Sequence, residues 1–162
     1  MPFDAFIHID GIEGESSDAR HAGWIEVKNF NLSVGQRVSN TASSAGGAGA
    51  ERADFTEFNF AKLLDLATPQ LALACASGTH IDKIKVEICR AGGEKLKFME
   101  YRFTNCLISA LSSNSIDGEF PVDEVAINFG QIEWHYTRQN RSGGAAMGST
   151  VTGWSRQRNC KV

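Results

Sequence analysis

The order of hydrophobic and polar residues predicts a chain built mainly of β-strands. Apolar and polar side chains alternate in residues 3–10, 24–38, 53–60 and 81–90. A period of two is the pattern of a strand with one buried face. The turn AGGE, around Gly92 and Gly93, separates 81–90 from the next strand and is typical of a hairpin. The strands are therefore expected to pair antiparallel.

Two of the longer predicted strands change face part of the way along. Between residues 95 and 111 the apolar positions shift after Phe98, which predicts a bulge. Between residues 124 and 138 they shift at Gly130, a residue suited to a bulge or a barrel corner. A last strand is predicted near 153–158. Long, bent, antiparallel strands favour a closed or nearly closed barrel, or a tight sandwich.

One segment, residues 68–77, has helix signals at both ends. Thr68 can cap the start, Pro69 suits the first helical position, and Gly78 suits the exit. The segment is apolar almost all round, which predicts burial on most sides. A short turn of helix is also expected at 61–67. The predicted fold is mainly β, an antiparallel barrel or sandwich with one short flanking α-helix.

Length and composition indicate a single domain spanning residues 1–162. The 4 cysteines lack CxxC spacing, which favours reduced core thiols over a metal site or a disulfide framework. The N-terminus has neither a basic segment nor a continuous apolar run, so no secretory signal is predicted. The longest apolar run is too short to span a bilayer, and membrane insertion is not expected.

The charge of the chain is uneven. The net charge of −3 argues against a general nucleic-acid binder. Residues 138–162 hold five basic side chains and no acidic one, Arg156 and Arg158 among them. This end could bind an anion, but docking on the acidic face of an identical chain is favoured.

No set of residues predicts catalysis, a metal site or a cofactor. His8, His21, His80 and His135 lack partners at metal-ligand spacing, and Glu13 with Glu15 fits a solvated turn. Asp18 and His21 can meet across a turn near Ser16 or Ser17, where local hydrogen bonding is favoured over a catalytic triad. His135 is expected to be a solvated strand residue.

The stretch 39–50, SNTASSAGGAGA, carries no charge and only small side chains. A loop of this length in a compact domain is either functional or disordered, and the sequence leaves both open. Just before it, Phe30, Leu32 and Val34 have core parity on the strand 24–38. Asn29, Asn31 and Ser33 are therefore predicted to face outward.

Five collinear segments together resemble one known family. They are the opening FIHIDGIEGESSDARHAGWIEV, the helix TPQLALACASG, the hairpin RAGGEKLKF, the strand VAINFGQIEWHY and the terminal GWSRQR. This ordered set resembles the haemolysin-coregulated protein (Hcp) family of type VI secretion. The resemblance implies a β-barrel flanked by a helix, six copies in a ring, and rings stacked into a tube. It also implies a contractile sheath, a spike protein and secreted effectors as partners, and export from the cytoplasm without a signal peptide.

Residues can be assigned to these roles as expectations. Asn29, Asn31 and Ser33 are expected to face the lumen and its cargo. The uncharged stretch 39–50 is expected to reach a neighbouring subunit, through Ser43, Ser44, Gly46, Gly47 and Gly49. Arg156 and Arg158 are expected at a basic C-terminal interface. The alternative is a monomeric β-barrel module that binds a small ligand or glycan with the loops at its mouth; an enzyme would need polar groups converging in a pocket.

Overall fold

The computed structural model describes residues 2–38, 50–139 and 146–162. The described parts contain one helix and eleven strands, all paired antiparallel. In chain order the elements are β1 (Phe3–Ile9), β2 (Ile25–Val27), β3 (Asn29–Asn31), β4 (Val34–Val38), β5 (Ala50–Phe55), β6 (Phe58–Leu63), α1 (Ala67–Ser77), β7 (His80–Arg90), β8 (Lys97–Asn114), β9 (Val122–Gln139), β10 (Ala146–Ser155) and β11 (Cys160–Lys161).

The main sheet has the strand order β11-β10-β9-β8-β7-β1-β2. The long strand β9 also pairs with β6 through Val122–Ile127, and β6 pairs with β3. Since β3 follows β2 after a single residue, the chain links the two ends of this curved sheet, although no continuous ladder between described residues closes it. Strands β4 and β5 form a separate pair. The structure confirms the predicted class, a mainly β, antiparallel barrel-like fold with one short helix.

The interior of the curved sheet is filled by aromatic and β-branched side chains. Phe58, Phe103 and Phe129 are almost fully buried, with ring centroids 5.1 Å (Phe58–Phe103) and 4.8 Å (Phe103–Phe129) apart. Ile127 and Ile132 of β9 are fully buried beside them. Fully burying a side chain of this size contributes about 1.5–3 kcal/mol, so this cluster is the main source of stability.

Two predicted strands are divided in the structure. The stretch 24–38 is broken after Val27 and again after Asn31, because the chain leaves β1 at Lys28, whose N–H donates to Ala61. The stretch 53–60 is broken between Phe55 and Phe58, at the crossing where the sheet β4–β5 separates from the main sheet. The predicted turn of helix at 61–67 is wrong, since β6 continues to Leu63.

Both predicted changes of face are present, with different causes. Ile88 pairs with Met99 but Cys89 pairs with Lys97, so Phe98 is the extra residue of a bulge, as predicted. At Gly130 the register does not shift. A side chain there would meet Cβ of Asn105 at 3.0 Å, and Asn105 has a left-handed φ of 56°. The corner therefore depends on the close packing of the Asn105 and Gln157 side chains against Gly130 rather than on an inserted residue.

The helix begins differently from the prediction and is less buried. It starts at Ala67, and its N-cap is Leu66, without a side-chain cap, so the prediction that Thr68 is the cap is wrong. Gly78 ends it with a φ of 62°, as predicted. Leu71 is buried but Leu73 is 63% exposed, because only one side of the helix packs on the sheet. The prediction of burial on most sides is therefore wrong.

Candidate functional site

The outer surface of strands β3, β6, β9 and β8 carries a row of small, uncharged side chains. Asn31 lies opposite Asn59, Asn59 opposite Ala126, and Ala126 opposite Ala110 across three consecutive strand pairs. Asn29, two residues before Asn31, lies on the same side of β3. We call this surface, formed by Asn29, Asn31, Asn59, Ala110 and Ala126, the asparagine face.

The alternation of each strand fixes the orientation of this face. Phe30, Phe58 and Phe60 pack on the core from the other side of the same strands. Asn29 and Asn31 are therefore exposed, as the sequence predicted. Because a slip of one residue would exchange the buried rings with the amides, burial of the three phenylalanines holds the register.

Ser33 lies at the border of the asparagine face rather than within it. The residue is exposed and follows the end of β3. Its N–H donates to Oγ1 of Thr56 at 2.8 Å, and its carbonyl accepts from the N–H of Thr56 at 3.0 Å. These bonds tie its backbone to the crossing where β4 and β5 leave the main sheet.

Charge is confined to the margins of the asparagine face. At one margin Ser109 donates to the carboxylate of Glu57 at 2.8 Å, and Nδ2 of Asn59 donates to the carbonyl of Glu57 at 3.1 Å. At the other margin Glu124 is exposed beside Ser112, its partner on β8. The centre of the face consists of amides and methyl groups, which can donate and accept hydrogen bonds without a strong preference for either charge.

A second polar site, on the β7–β8 hairpin, includes the residues singled out as a possible triad. Nδ1 of His21 lies 2.7 Å from Asp18 and Nε2 lies 2.6 Å from Glu87, while the ring stacks on Phe6 at 4.1 Å. Ser16 accepts a hydrogen bond from the N–H of Asp18 and does not approach the imidazole as a nucleophile would. The prediction of local hydrogen bonding is confirmed.

We call the wider group the hairpin cluster: Asp18, His21, Glu87, Lys95, Lys97, Glu100 and Arg102. Hydrogen bonds from Lys95 and His21 hold the pKa of Asp18 well below its usual range. Burial alone would raise the pKa of Glu100, but hydrogen bonds from Arg102 and Lys97 outweigh it and lower the pKa. These carboxylates therefore stay ionised at neutral pH and hold the hairpin and the 11–23 segment together.

A third polar site, buried beneath the start of α1, was not predicted. Nζ of Lys62 is fully buried and donates to Asp123 at 2.8 Å, to Asp65 at 2.7 Å and to Thr68 at 2.9 Å. Asp123 also accepts from Ser113 at 2.5 Å and from Thr68 at 2.6 Å. We call these five residues the lysine network. The only sequence signal for it was a lysine inside the otherwise apolar run FAKLL.

The two arginines predicted at a basic interface occupy different environments. Arg156 is half-buried and donates to the carbonyl of Phe129 at 3.0 Å, with its guanidinium 5.0 Å from the centre of the Phe129 ring. Its own carbonyl accepts from Arg52 at 2.7 Å. Arg156 is therefore engaged within the chain, whereas Arg158 is exposed.

The remaining candidates do not form a site. His135 was expected to be solvated, but its side chain is only 21% exposed and lies 3.7 Å from Glu133, because neighbouring strands cover this part of β9. His80 lies 2.7 Å from Asn105. Within the described residues no group of His, Cys, Asp and Glu could hold a metal ion. The loop residues Ser43, Ser44, Gly46, Gly47 and Gly49 lie outside the described ranges.

The four cysteines, Cys75, Cys89, Cys106 and Cys160, form no disulfide with one another in the structure. Two of them are buried among core residues. Burial raises the pKa of Cys89 to about 11 and that of Cys106 to about 12.

These features define a mainly β, barrel-like domain whose outer sheet carries a row of uncharged side chains. Comparison with known proteins gives the family. A sequence profile described as "Type VI secretion system effector, Hcp" matches residues 6–136. Protein hcp1 of Pseudomonas aeruginosa is 33% identical over 164 residues, covering 100% of both chains. The chain therefore belongs to the Hcp family of type VI secretion proteins.

Comparison with solved structures indicates the same family. A structure described as a type six secretion system protein superposes with a TM-score of 0.93 at 29% identity, covering 99% of this chain and 100% of that one. Hcp1 from Salmonella typhimurium superposes with a TM-score of 0.80 at 29% identity, covering 100% of both chains. The family is one of secretion tube and effector proteins rather than of enzymes. In the described part of the chain no helix is long and apolar enough to cross a membrane.

Proposed function

We propose that the chain, acting as one domain over residues 1–162, is the tube subunit of a type VI secretion system. Six copies form a ring, rings stack into the inner tube that a contractile sheath expels behind a spike protein, and effectors travel in the lumen. The asparagine face lines that lumen. The observation that carries the proposal is this row of uncharged side chains on an ordered sheet, exposed at every member except the buried Ala126, in a chain of the Hcp family.

The chemistry of the asparagine face suits a passage for varied cargo. An amide both donates and accepts, so Asn29, Asn31 and Asn59 can bond to many polar surfaces. The methyl groups of Ala110 and Ala126 leave room between them. Since neutral hydrogen bonds contribute only about 0.5–1.5 kcal/mol net each, a cargo protein is held weakly enough to leave.

The same geometry supports a role without catalysis. The hairpin cluster and the lysine network are saturated with internal ion pairs, so their side chains are engaged in holding the chain together. We therefore propose that the protein carries or stabilises effectors and performs no chemistry on them, starting in the cytoplasm and leaving by the type VI route.

Oligomeric mass tests the assembly part of this proposal. Light scattering of the purified protein at low salt is expected to give about six times the 17.6 kDa mass of one chain. Negative-stain images of the same sample should show rings. A protein that stays monomeric at high concentration contradicts the proposal and favours the alternative, a monomeric β-barrel module that binds a small ligand or glycan at its mouth.

The substitution Asn31→Arg tests the lumen assignment. It is expected to leave ring mass unchanged, because an exposed substitution typically changes stability by no more than about 0.5 kcal/mol. It is expected to remove at least one effector from the set that co-purifies with the rings. Gln70→Arg makes the same amide-to-guanidinium change on the exposed side of α1 and serves as the matched control. An unaltered effector set in Asn31→Arg, or equal losses in both variants, contradicts the assignment.

A further inference from the structure

A cleft of about 650 Å³ opens where β6 ends and β1 begins. Its rim is apolar and exposed. Phe3 is 49% exposed, Phe120 62%, Leu63 39% and Leu64 37%. Exposed aromatic side chains around a concave surface are typical of protein–protein contacts, where they supply much of the binding energy.

The lining of this cleft is acidic. It contains two ammonium groups, those of Lys28 and Lys95, against five carboxylates: Asp4, Glu15, Asp18, Glu26 and Asp65. Lys95 binds Asp4 at 3.0 Å and Asp18 at 2.8 Å, while Asp65 binds Lys62. Glu26 is exposed on β2, and its carboxylate makes no hydrogen bond or ion pair with any described residue. The cleft therefore presents an uncompensated negative charge.

The C-terminal turn presents the opposite charge. Residues 156–159 link β10 to β11, and the whole stretch 138–162 has no acidic residue. Arg158 and Lys161 are exposed. The guanidinium of Arg158 has no ion-pair partner among the described residues, whereas Arg156 beside it is engaged with Phe129. We call residues 156–161 the basic turn.

The cleft and the basic turn lie at different places along strand β9. Leu63 of the cleft pairs with Val122, whereas Ser155, which precedes the basic turn, pairs with Gln131. Nine residues of strand separate the two pairs, which corresponds to about 30 Å. The two surfaces therefore do not neutralise each other within one chain. Complementary patches at separate places on identical molecules make head-to-tail contacts, which close into rings or continue as stacks.

We propose that the acidic cleft of one copy receives the basic turn of a second copy, with Arg158 against Glu26 and the aromatic rim. A guanidinium suits this cleft because it pairs with a carboxylate and also stacks on aromatic faces such as those of Phe3 and Phe120. This contact rests on the proposed function, because it requires that the chain assembles with copies of itself. It adds to that function which two surfaces of the chain meet.

Cysteine cross-linking tests the contact directly. The double variant Glu26→Cys/Arg158→Cys is oxidised under native conditions and run on a non-reducing gel. A ladder of disulfide-linked multimers is expected from the double variant, and none from either single variant or from the unmodified chain. A ladder in a single variant, or none in the double variant, overturns the contact.

Charge reversal gives an independent measurement. Glu26→Lys and Arg158→Glu are each expected to weaken self-association on the order of tenfold, because like charges then face each other. The combined variant Glu26→Lys/Arg158→Glu is expected to recover most of that loss. Asp82→Lys, at an exposed position on β7, is the control and should leave association unchanged. Equal weakening by all three single reversals, or no recovery in the combined variant, overturns the contact.

The two proposals fail in different ways. Rings of normal mass without a cross-linked ladder would refute the contact and leave the tube function intact. A monomer by light scattering without a ladder would refute both. A monomer whose cleft binds another basic protein, with no ladder, would also refute the contact and identify a different occupant.

Discussion

The lysine network and the hairpin cluster use the same kinds of side chain in different surroundings. Lys62 and Asp123 are each 0% exposed and pair with each other, and three further polar side chains, those of Asp65, Thr68 and Ser113, satisfy them. In the hairpin cluster Lys95, Lys97 and Arg102 are 33%, 41% and 47% exposed. Water is thus available to the cations of one group and excluded from the other.

This difference decides what each group contributes. A buried ion that loses its partner keeps the full cost of leaving water, so the lysine network must be complete to be tolerated. An exposed cation that loses its partner is rehydrated, and the buried Glu100 has both Lys97 and Arg102, so the hairpin cluster can lose one of these two cations at little cost. The lysine network therefore specifies how α1 joins β6 and β9, whereas the hairpin cluster adds many small contributions.

The largest expected effect is that of Lys62→Met. It leaves Asp123 buried without its cation and is expected to lower the free energy of unfolding by about 3–5 kcal/mol. Urea unfolding followed by circular dichroism measures this. Lys83→Met, an exposed lysine on β7, is the control and should change the free energy of unfolding by no more than about 0.5 kcal/mol.

A second variant sharpens this result. Lys62→Met/Asp123→Leu removes both buried charges and is expected to be more stable than Lys62→Met alone. If Lys62→Met costs less than about 1 kcal/mol, water reaches the network and the contrast between the two groups is wrong.

An intermediate effect is expected from Asp18→Asn in the hairpin cluster. The pKa of Asp18 is lowered in the folded chain by hydrogen bonds from Lys95 and His21. Its stabilising effect is therefore present above the unfolded pKa of about 3.9 and is lost as the pH falls toward the lower folded value. The variant is expected to be about 1 kcal/mol less stable at pH 7 and to lose less stability on acidification.

The measurement is urea unfolding at a series of pH values between 7 and the acid limit of solubility. Asp117→Asn is the matched control, because Asp117 is exposed and asparagine tolerates its left-handed φ of 40°. If the free energies of unfolding of the unmodified chain and of Asp18→Asn decrease equally as the pH falls, the expectation is contradicted.

The smallest effect is expected from Arg102→Ala. Glu100 is 2% exposed but keeps Lys97 at 2.5 Å after the loss of the guanidinium. The expected loss is about 0.5 kcal/mol, and it should shrink further in salt because the guanidinium is half-exposed. Urea midpoints at low and high salt measure it. A loss as large as that of Lys62→Met would show that the hairpin cluster behaves as a buried network.

Local patterns in the sequence predicted the strands well and the buried polar contacts poorly. The sequence has a period of two in β1 and β7 and two turn glycines at 92 and 93. These are local properties, so they were sufficient to predict the hairpin and its bulge. The outward direction of Asn29 and Asn31 followed in the same way, because alternation survived the breaks in the strand 24–38.

The errors arose where a distant residue decided the local structure. Thr68 has a side chain typical of an N-cap residue. Its hydroxyl instead donates a hydrogen bond to Asp123, 55 positions away in sequence, and the helix starts one residue earlier, at Ala67. Lys62 is 61 positions from Asp123, and no local signal links them. The degree of burial of α1 depends on which of its sides meets the sheet, and the composition of the segment does not specify that.

The burial of Cys89 and Cys106 has a consequence for the proposed export of the chain from a reducing compartment. Disulfide exchange proceeds through the thiolate, and pKa values of about 11 and 12 leave a thiolate fraction at pH 7 on the order of 10⁻⁴ and 10⁻⁵. Both thiols are therefore expected to stay unreacted when the chain passes from a reducing to an oxidising medium along the proposed export route.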